Sequence, residues 1–323
     1  LSSRFGEEGL PTSLHISGIG SPPLRYGENP HQAAIFYSDN LTFGPSISNA
    51  AQLQGKQLSY NNLLDFDAAL SIVTEFSEPT AIVVKHNNPC GAASAESLEQ
   101  AYDLAINTDP QSSFGGIISF NQEVGRKLAE KITSSFKEGV IAPSFTKGAL
   151  ECLSKKGNLR VLETGSLEDY ERNPTLRSLD KGWLLQETDE AMIDISNCEL
   201  VTKRKPSDEE LEGLQFGWKI VKHVKSNAIV FAKQKRTVGI GAGQMSRIDS
   251  VKIATFKSIP NPKDSVMASD AFFPFRDGID EAAKEGITAV VQPGGSVRDQ
   301  EVIDAANEHN IAMVFTGMRH FKH

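Results

Sequence analysis

Lys85 and His86 stand next to each other at the end of an apolar run, in the segment PTAIVVKHNNPCG over 79–91. A lysine beside a histidine disfavours the imidazolium, and a neutral imidazole is what a general base needs. The ammonium can stabilise an oxyanion or protonate a leaving nitrogen. Adjacent residues of a strand point to opposite faces. The pair therefore meets only if the chain bends, which the polar loop expected after Lys85 would allow. The same residue types also suit a surface lysine and a histidine that caps a turn.

Other segments carry weaker signals. Pro89-Cys90 invites comparison with zinc deaminases, which need H-x-E and P-C-x-x-C. Here no H-x-E precedes, and Gly91, Ala92 and Ala93 follow without a second cysteine, so no zinc is expected. GIGAG (239–243) lacks the G-x-G-x-x-G of a dinucleotide fold, and no G-x-x-x-x-G-K-[ST] occurs. It reads as a tight turn or as bare backbone that a ligand can approach, with Gln244, Ser246 and Arg247 beyond it. QPGGS (292–296) and SSFGG (112–116) are turns or ligand loops of the same kind. LRYGENPHQ (24–32) gathers Arg25, Tyr26, Asn29 and His31 in a loop, where Arg25 suits a phosphate. ASDAFFPFRD (268–277) is ordinarily core, though its rings could stack a flat ligand and Asp277 could accept two hydrogen bonds from an amino-pyrimidine edge. RHFKH (319–323) is ordinarily a loose tail.

Short β-branched runs alternate with amphipathic helix-length segments, the α/β signature. The pattern predicts strands over 81–85, 116–120, 139–142, 158–162, 228–232, 287–291 and 311–315. Helices are expected over 97–106, 122–134, 277–285 and 298–308. Ser207 to Glu210 fits a capping box, with a helix running on to about Val224. The stretch 163–206 is poor in signals and reads as a seam between two α/β halves; no repeat is evident at the residue level.

Lys and Arg number 33 against 41 Asp and Glu, a net charge of −8. That argues against wholesale nucleic-acid binding. Three cysteines, Cys90, Cys152 and Cys198, make no disulfide framework and suit a reducing compartment. No apolar stretch is long enough to cross a membrane. The chain begins with Leu1, and LSSRFGEEG (1–9) reads as the ragged end of a helix.

Taken in order, LRYGENPHQ, KHNNPCG, DPQSSFGGIISFN, VIAPSF, KSNAIV, GIGAGQMSR, SDAFFPFRD, QPGGSVRD and RHFKH resemble the transformylase domain of the family of bifunctional aminoimidazole-carboxamide ribonucleotide (AICAR) formyltransferase / IMP cyclohydrolases. The resemblance covers Leu24 to His323. It implies an α/β fold of two cytidine-deaminase-like three-layer subdomains in tandem, over 24–200 and 201–323. Residues 1–23 are then a linker and remnant of an N-terminal cyclohydrolase domain. It also implies formyl transfer from 10-formyltetrahydrofolate to the 5-amino group of AICAR, without zinc and with a structural potassium ion allowed, its ligands open. A homodimer with shared active sites is implied, in the cytoplasm, or in a plastid if the source is a plant. Carried over by motif, Lys85, His86 and Asn227 are catalytic. Arg25, Tyr26, Asn62, Gly115, Glu138, Arg319 and His323 match nucleotide contacts, Glu138 standing where some relatives carry Asp. Arg247, Ile248, Phe272, Asp277, Ser296 and Val297 match the folate side. Two other readings are a folate- or nucleotide-binding module without turnover and a zinc-free relative of nucleotide deaminases.

Overall fold

The computed structural model describes residues 13–38, 44–259 and 261–323. The helix end expected over 1–9 lies outside them. Strands β1 (Ile19–Gly20) and β2 (Tyr37–Ser38) pair with each other. Next come β3 (Ala51–Gln54), α1 (Tyr60–Val73), β4 (Thr80–Lys85), β5 (Asn88–Ser94), α2 (Leu98–Ile106), α3 (Pro110–Ser113), β6 (Ile117–Phe120), α4 (Arg126–Thr133), β7 (Gly139–Ala142), α5 (Lys147–Leu153) and β8 (Arg160–Glu163). The seam holds a separate hairpin, β9 (Thr175–Leu179) and β10 (Gly182–Gln186). After it follow β11 (Glu199–Leu200), α6 (Asp208–Val221), β12 (Ile229–Lys233), β13 (Arg236–Gly241), α7 (Arg247–Lys257), β14 (Val266–Ser269), α8 (Asp277–Lys284), β15 (Ala289–Gln292), α9 (Asp299–Glu308) and β16 (Ala312–Phe315).

Twelve strands form one mixed sheet in the order β11-β16-β15-β14-β12-β13-β5-β4-β6-β7-β8-β3. The runs with fully buried burial patterns, such as β6, β7, β14 and β15, sit inside it. That is why they read as continuous apolar stretches without alternation. The strands of 51–163 fill one end and those of 199–315 the other. They meet at β5 and β13, where Arg236 faces Ala93 and the Thr237 hydroxyl accepts the Ala92 N–H at 2.9 Å.

Each end has the same internal order: a hairpin, an antiparallel neighbour, two further parallel strands and an antiparallel edge strand. The match extends to register. Residues 59–94 fall on 207–242 at a constant displacement of 148 positions, Ser59 on Ser207 and the hairpin turn 86–87 on 234–235. Both hairpins carry their bulge at the equivalent place, after Val83 and after Phe231. Gly91 and Gly239 are equivalent too. A Cβ on either would lie about 2 Å from a helix carbonyl, that of Ala105 or Ala254. Gly239 and Gly241 are therefore strand residues packed under α7, which corrects the expectation of a turn or ligand loop there. Within that motif Gly243 alone has positive φ, 68°.

Candidate active site

β4 is buried as far as Val84, and Lys85 emerges half-buried with its Nζ donating to the Phe114 carbonyl at 2.8 Å. The chain does not continue as a loop. Lys85 pairs with Asn88, leaving His86 and Asn87 as a two-residue turn with φ of 53° and 61°. A hairpin turn with both central residues left-handed twists as the flanking strands do, and Asn and His tolerate that region better than most side chains. His86 is exposed at its tip. The turn is tied on two sides. Asn87 N–H donates to Asp65 Oδ1 of α1 at 2.7 Å, and Asn88 Nδ2 donates to the His86 carbonyl at 3.2 Å. Pro89 is buried within β5, and the Cys90 thiol points at the Val83 carbonyl, 3.5 Å away. Burial pushes that thiol up to about 12, so it is no thiolate nucleophile at neutral pH.

Asn88 also reaches the second half, its Oδ1 accepting the Lys225 N–H at 2.9 Å. This brings the segment 225–227 beside the hairpin. Asn227, joined to Ser226 by a cis peptide, is held at every polar atom of its side chain. Its backbone N–H and Nδ2 donate to the Gln244 carbonyl at 3.0 and 2.8 Å. Its Oδ1 accepts Arg247 Nη2 at 2.8 Å. Arg247 is itself buried and donates through Nη1 to Ser269 Oγ (2.8 Å) and to the fully buried Asp270. Asp270 gathers the Ala228 N–H (3.1 Å) and the Ser226 hydroxyl on the same carboxylate.

The C-terminal residues close this cluster rather than trailing as a loose tail. His320 N–H donates to the Asp270 carbonyl at 2.9 Å, Ser226 N–H to the Lys322 carbonyl at 2.9 Å, and Arg177 to the His323 carbonyl at 2.8 Å. His320 is 1% exposed and its Nδ1 lies 2.5 Å from Asp189 Oδ2. Burial draws the Lys322 ammonium down to about 8.

With this geometry in place, the comparisons with known proteins decide the family. The model described as "AICARFT/IMPCHase bienzyme" matches residues 2–257. The chain belongs to the AICARFT/IMPCHase bienzyme family. It is 50% identical over 320 residues to the bifunctional purine biosynthesis protein PurH of Caldicellulosiruptor saccharolyticus, covering 98% of this chain and 62% of that protein. It is 50% identical over 323 residues to PurH of Bacillus cereus, covering 100% of this chain and 63% of that protein. The chain thus spans just under two thirds of the length of these curated relatives.

In this AICARFT/IMPCHase chain the other expected residues fall into three groups. Near the hairpin, Gly115 (φ 73°) follows the carbonyl that holds Lys85, and Glu138 is paired with Arg160 at 2.6 Å. Asn62 is buried in α1, its Oδ1 accepting from the N–H and hydroxyl of Ser59 at 3.1 and 2.9 Å. Only its amide nitrogen is left for a ligand. The Arg25–Tyr26 loop leans on the start of α1, through Gln57 to the Pro23 carbonyl (3.3 Å) and Asn61 to the Glu28 carbonyl (3.2 Å). Arg25 is exposed and lies 5.0 Å over the Tyr26 ring. Arg319 is exposed over Phe321 at 4.7 Å.

On the donor side, Phe272 and Asp277 follow β14, while Ser296 and Val297 follow β15. Gln292 joins the two loops by accepting the Phe273 N–H at 3.0 Å. Phe272 and Val297 are exposed, Ile248 is half-buried on α7, and Asp277 Oδ1 accepts the adjacent Gly278 N–H at 2.8 Å. Among the described residues no hydrogen bond links this group, Arg25 or Arg319 to Lys85 or His86. Sequence reasoning missed Asp65 and Asn88 as holders of the turn; each makes its contact across elements, where no local spacing announces it. Among the described residues no group of three His, Cys, Asp or Glu is placed to hold a metal, and no helix is long and apolar enough to cross a membrane.

Proposed function

We propose that this chain carries the formyl-transfer activity of a purine-biosynthesis enzyme, moving the formyl group of 10-formyltetrahydrofolate to the 5-amino group of AICAR. The observation that carries the reading is the His86 turn. It sets an exposed imidazole beside Lys85, one hydrogen-bonded residue away from the segment that presents Asn227. The acceptor amine is a poor nucleophile because its lone pair is delocalised into the imidazole ring, so a positioned base and an oriented donor must supply the rate. The amine nitrogen attacks the formyl carbon, His86 takes the amine proton, and Lys85 stabilises the oxyanion. Collapse then breaks the bond to N10 of the folate, which leaves with a proton. Arg25 and Arg319 supply cations for the nucleotide phosphate, and the Phe272–Asp277 and Ser296–Val297 loops take the flat pterin.

The duplicated strand order supports reading the fold as two cytidine-deaminase-like units over 24–200 and 201–323, with β11 (Glu199–Leu200), which pairs with β16 of the second half, at the boundary. The names and lengths of the relatives support a cyclohydrolase domain ahead of residue 24 in the whole protein. A homodimer with shared sites, acting in the cytoplasm, completes the proposal.

The test is a formyl-transfer assay with AICAR and 10-formyltetrahydrofolate. His86→Ala should lose at least ~10²-fold in kcat while nucleotide affinity survives, because a base acts mainly in the transition state. Near-native turnover in that variant would remove His86 as the base. No turnover in the unsubstituted protein would leave a binding module.

A further inference from the structure

The duplication provides an internal control for the His86 turn. Position 65 of α1 is equivalent to position 213 of α6, and His86 is equivalent to Gln234. In the second half the helix residue is Gly213, whose missing Cβ would stand 3.5 Å from the Gln234 nitrogen. The same point of the helix therefore faces the same turn in both halves. The second hairpin still closes with two residues, but of these only Gln234 has positive φ (52°). A carboxylate is thus not needed to make the hairpin. It is present where the turn carries a histidine and where the second turn residue is also left-handed.

We propose that Asp65 is a positioning residue for His86: its carboxylate accepts the Asn87 N–H, holds Asn87 in the left-handed region and so fixes the turn that carries the imidazole. The proposal rests on the reading of His86 as the base. The charged groups around the turn are Asp65 on α1, Lys85 on β4 and Glu138 just ahead of β7. Burial raises the Asp65 carboxyl, against the backbone N–H groups of Asn87 and His86, which lower it. Lys85 is drawn aside to the Phe114 carbonyl.

The test uses the natural full-length protein with Asp65→Asn and Asp65→Ala. The asparagine keeps an oxygen acceptor for the Asn87 N–H and removes the charge; the alanine removes both. Amide exchange reads the Asn87 N–H, and steady-state kinetics read kcat apart from KM. Asp65→Asn should keep Asn87 protected and kcat within about threefold of the unsubstituted protein. Asp65→Ala should lose about tenfold in Asn87 protection and about tenfold in kcat, with the nucleotide KM unchanged. Wild-type Asn87 protection in Asp65→Ala overturns the positioning, and so does a loss in Asp65→Asn as large as that in Asp65→Ala. If protection falls in Asp65→Ala while kcat stays native, Asp65 positions the turn and it is His86 as base that fails. Should Asp65→Ala not fold, Asp65→Gly, the residue found at the equivalent position 213, is measured in its place.

Discussion

Arg247 shows how far a residue's type constrains its use. By motif it belongs with the folate contacts, yet its guanidinium is buried and shared between Asn227 Oδ1 and Asp270. The planar guanidinium serves both partners from different nitrogens, Nη2 to Asn227 and Nη1 to Asp270, in a fixed geometry that a lysine would not reproduce. Removing it leaves the fully buried Asp270 carboxylate without its counter-charge, which typically costs about 3–5 kcal/mol. Arg247→Met should therefore lower the unfolding free energy in urea by that much, with a correspondingly lower midpoint, besides any effect on folate. A native midpoint with only a raised folate KM would return Arg247 to the ligand face. Lys85, His86 and Asn227 could be picked out as candidates because they stand in short motifs with a strand run beside them. Asp65, Asn88 and the clamp of His320 and Lys322 were not. Their partners lie on other elements, and only the assembled sheet brings those together.

At the scale of elements, most buried strands were legible to within two residues, since short, β-branched apolar runs bounded by turn residues read as buried strands. The buried β14 (Val266–Ser269) escaped, and so did β5. Its Pro89 and Gly91 argue against a strand by propensity, but Pro89 falls just after a two-residue turn and beside the bulge after Val83, where a missing N–H is tolerated. The capping boxes divide in the same way. Ser207 with Glu210 follows the expected pattern, whereas Ser59 uses Asn62, a shorter reciprocating side chain outside the usual Glu or Gln. Both serines hold equivalent helix starts, so Ser59→Ala and Ser207→Ala should each destabilise by about 1 kcal/mol in urea unfolding. A markedly larger loss at Ser207 alone would mean that Asn62 is not a working partner of Ser59.

At the scale of the molecule, the two halves meet at one place through equivalent residues. Glu75 and His223 occupy matching positions and touch, His223 Nε2 lying 3.0 Å from Glu75 Oε1. Arg172 and Lys222 reach the same carboxylate at 2.6 and 2.8 Å, with side chains 4–11% exposed. Burial alone would raise the Glu75 carboxyl, but its hydrogen bond to His223 and the Arg172 and Lys222 cations hold it well below the ordinary carboxylate range. Burial also pushes the His223 imidazole down to about 3, against the pull of Glu75. Both folded-state values are depressed, so both groups stabilise the fold above their unfolded values and lose that contribution as pH falls. For His223 the window opens at about 6.5, where the unfolded chain begins to take the proton that the folded one refuses. Between pH 7 and 5 this single site should remove about 2 kcal/mol. His223→Gln keeps a hydrogen-bonding side chain without a titration in that range. Its urea midpoint should start lower at pH 7 but fall less steeply towards pH 5 than that of the unsubstituted protein. Parallel slopes in the two proteins would show that His223 charges in the folded state, and the acid sensitivity would then have to arise elsewhere along the junction.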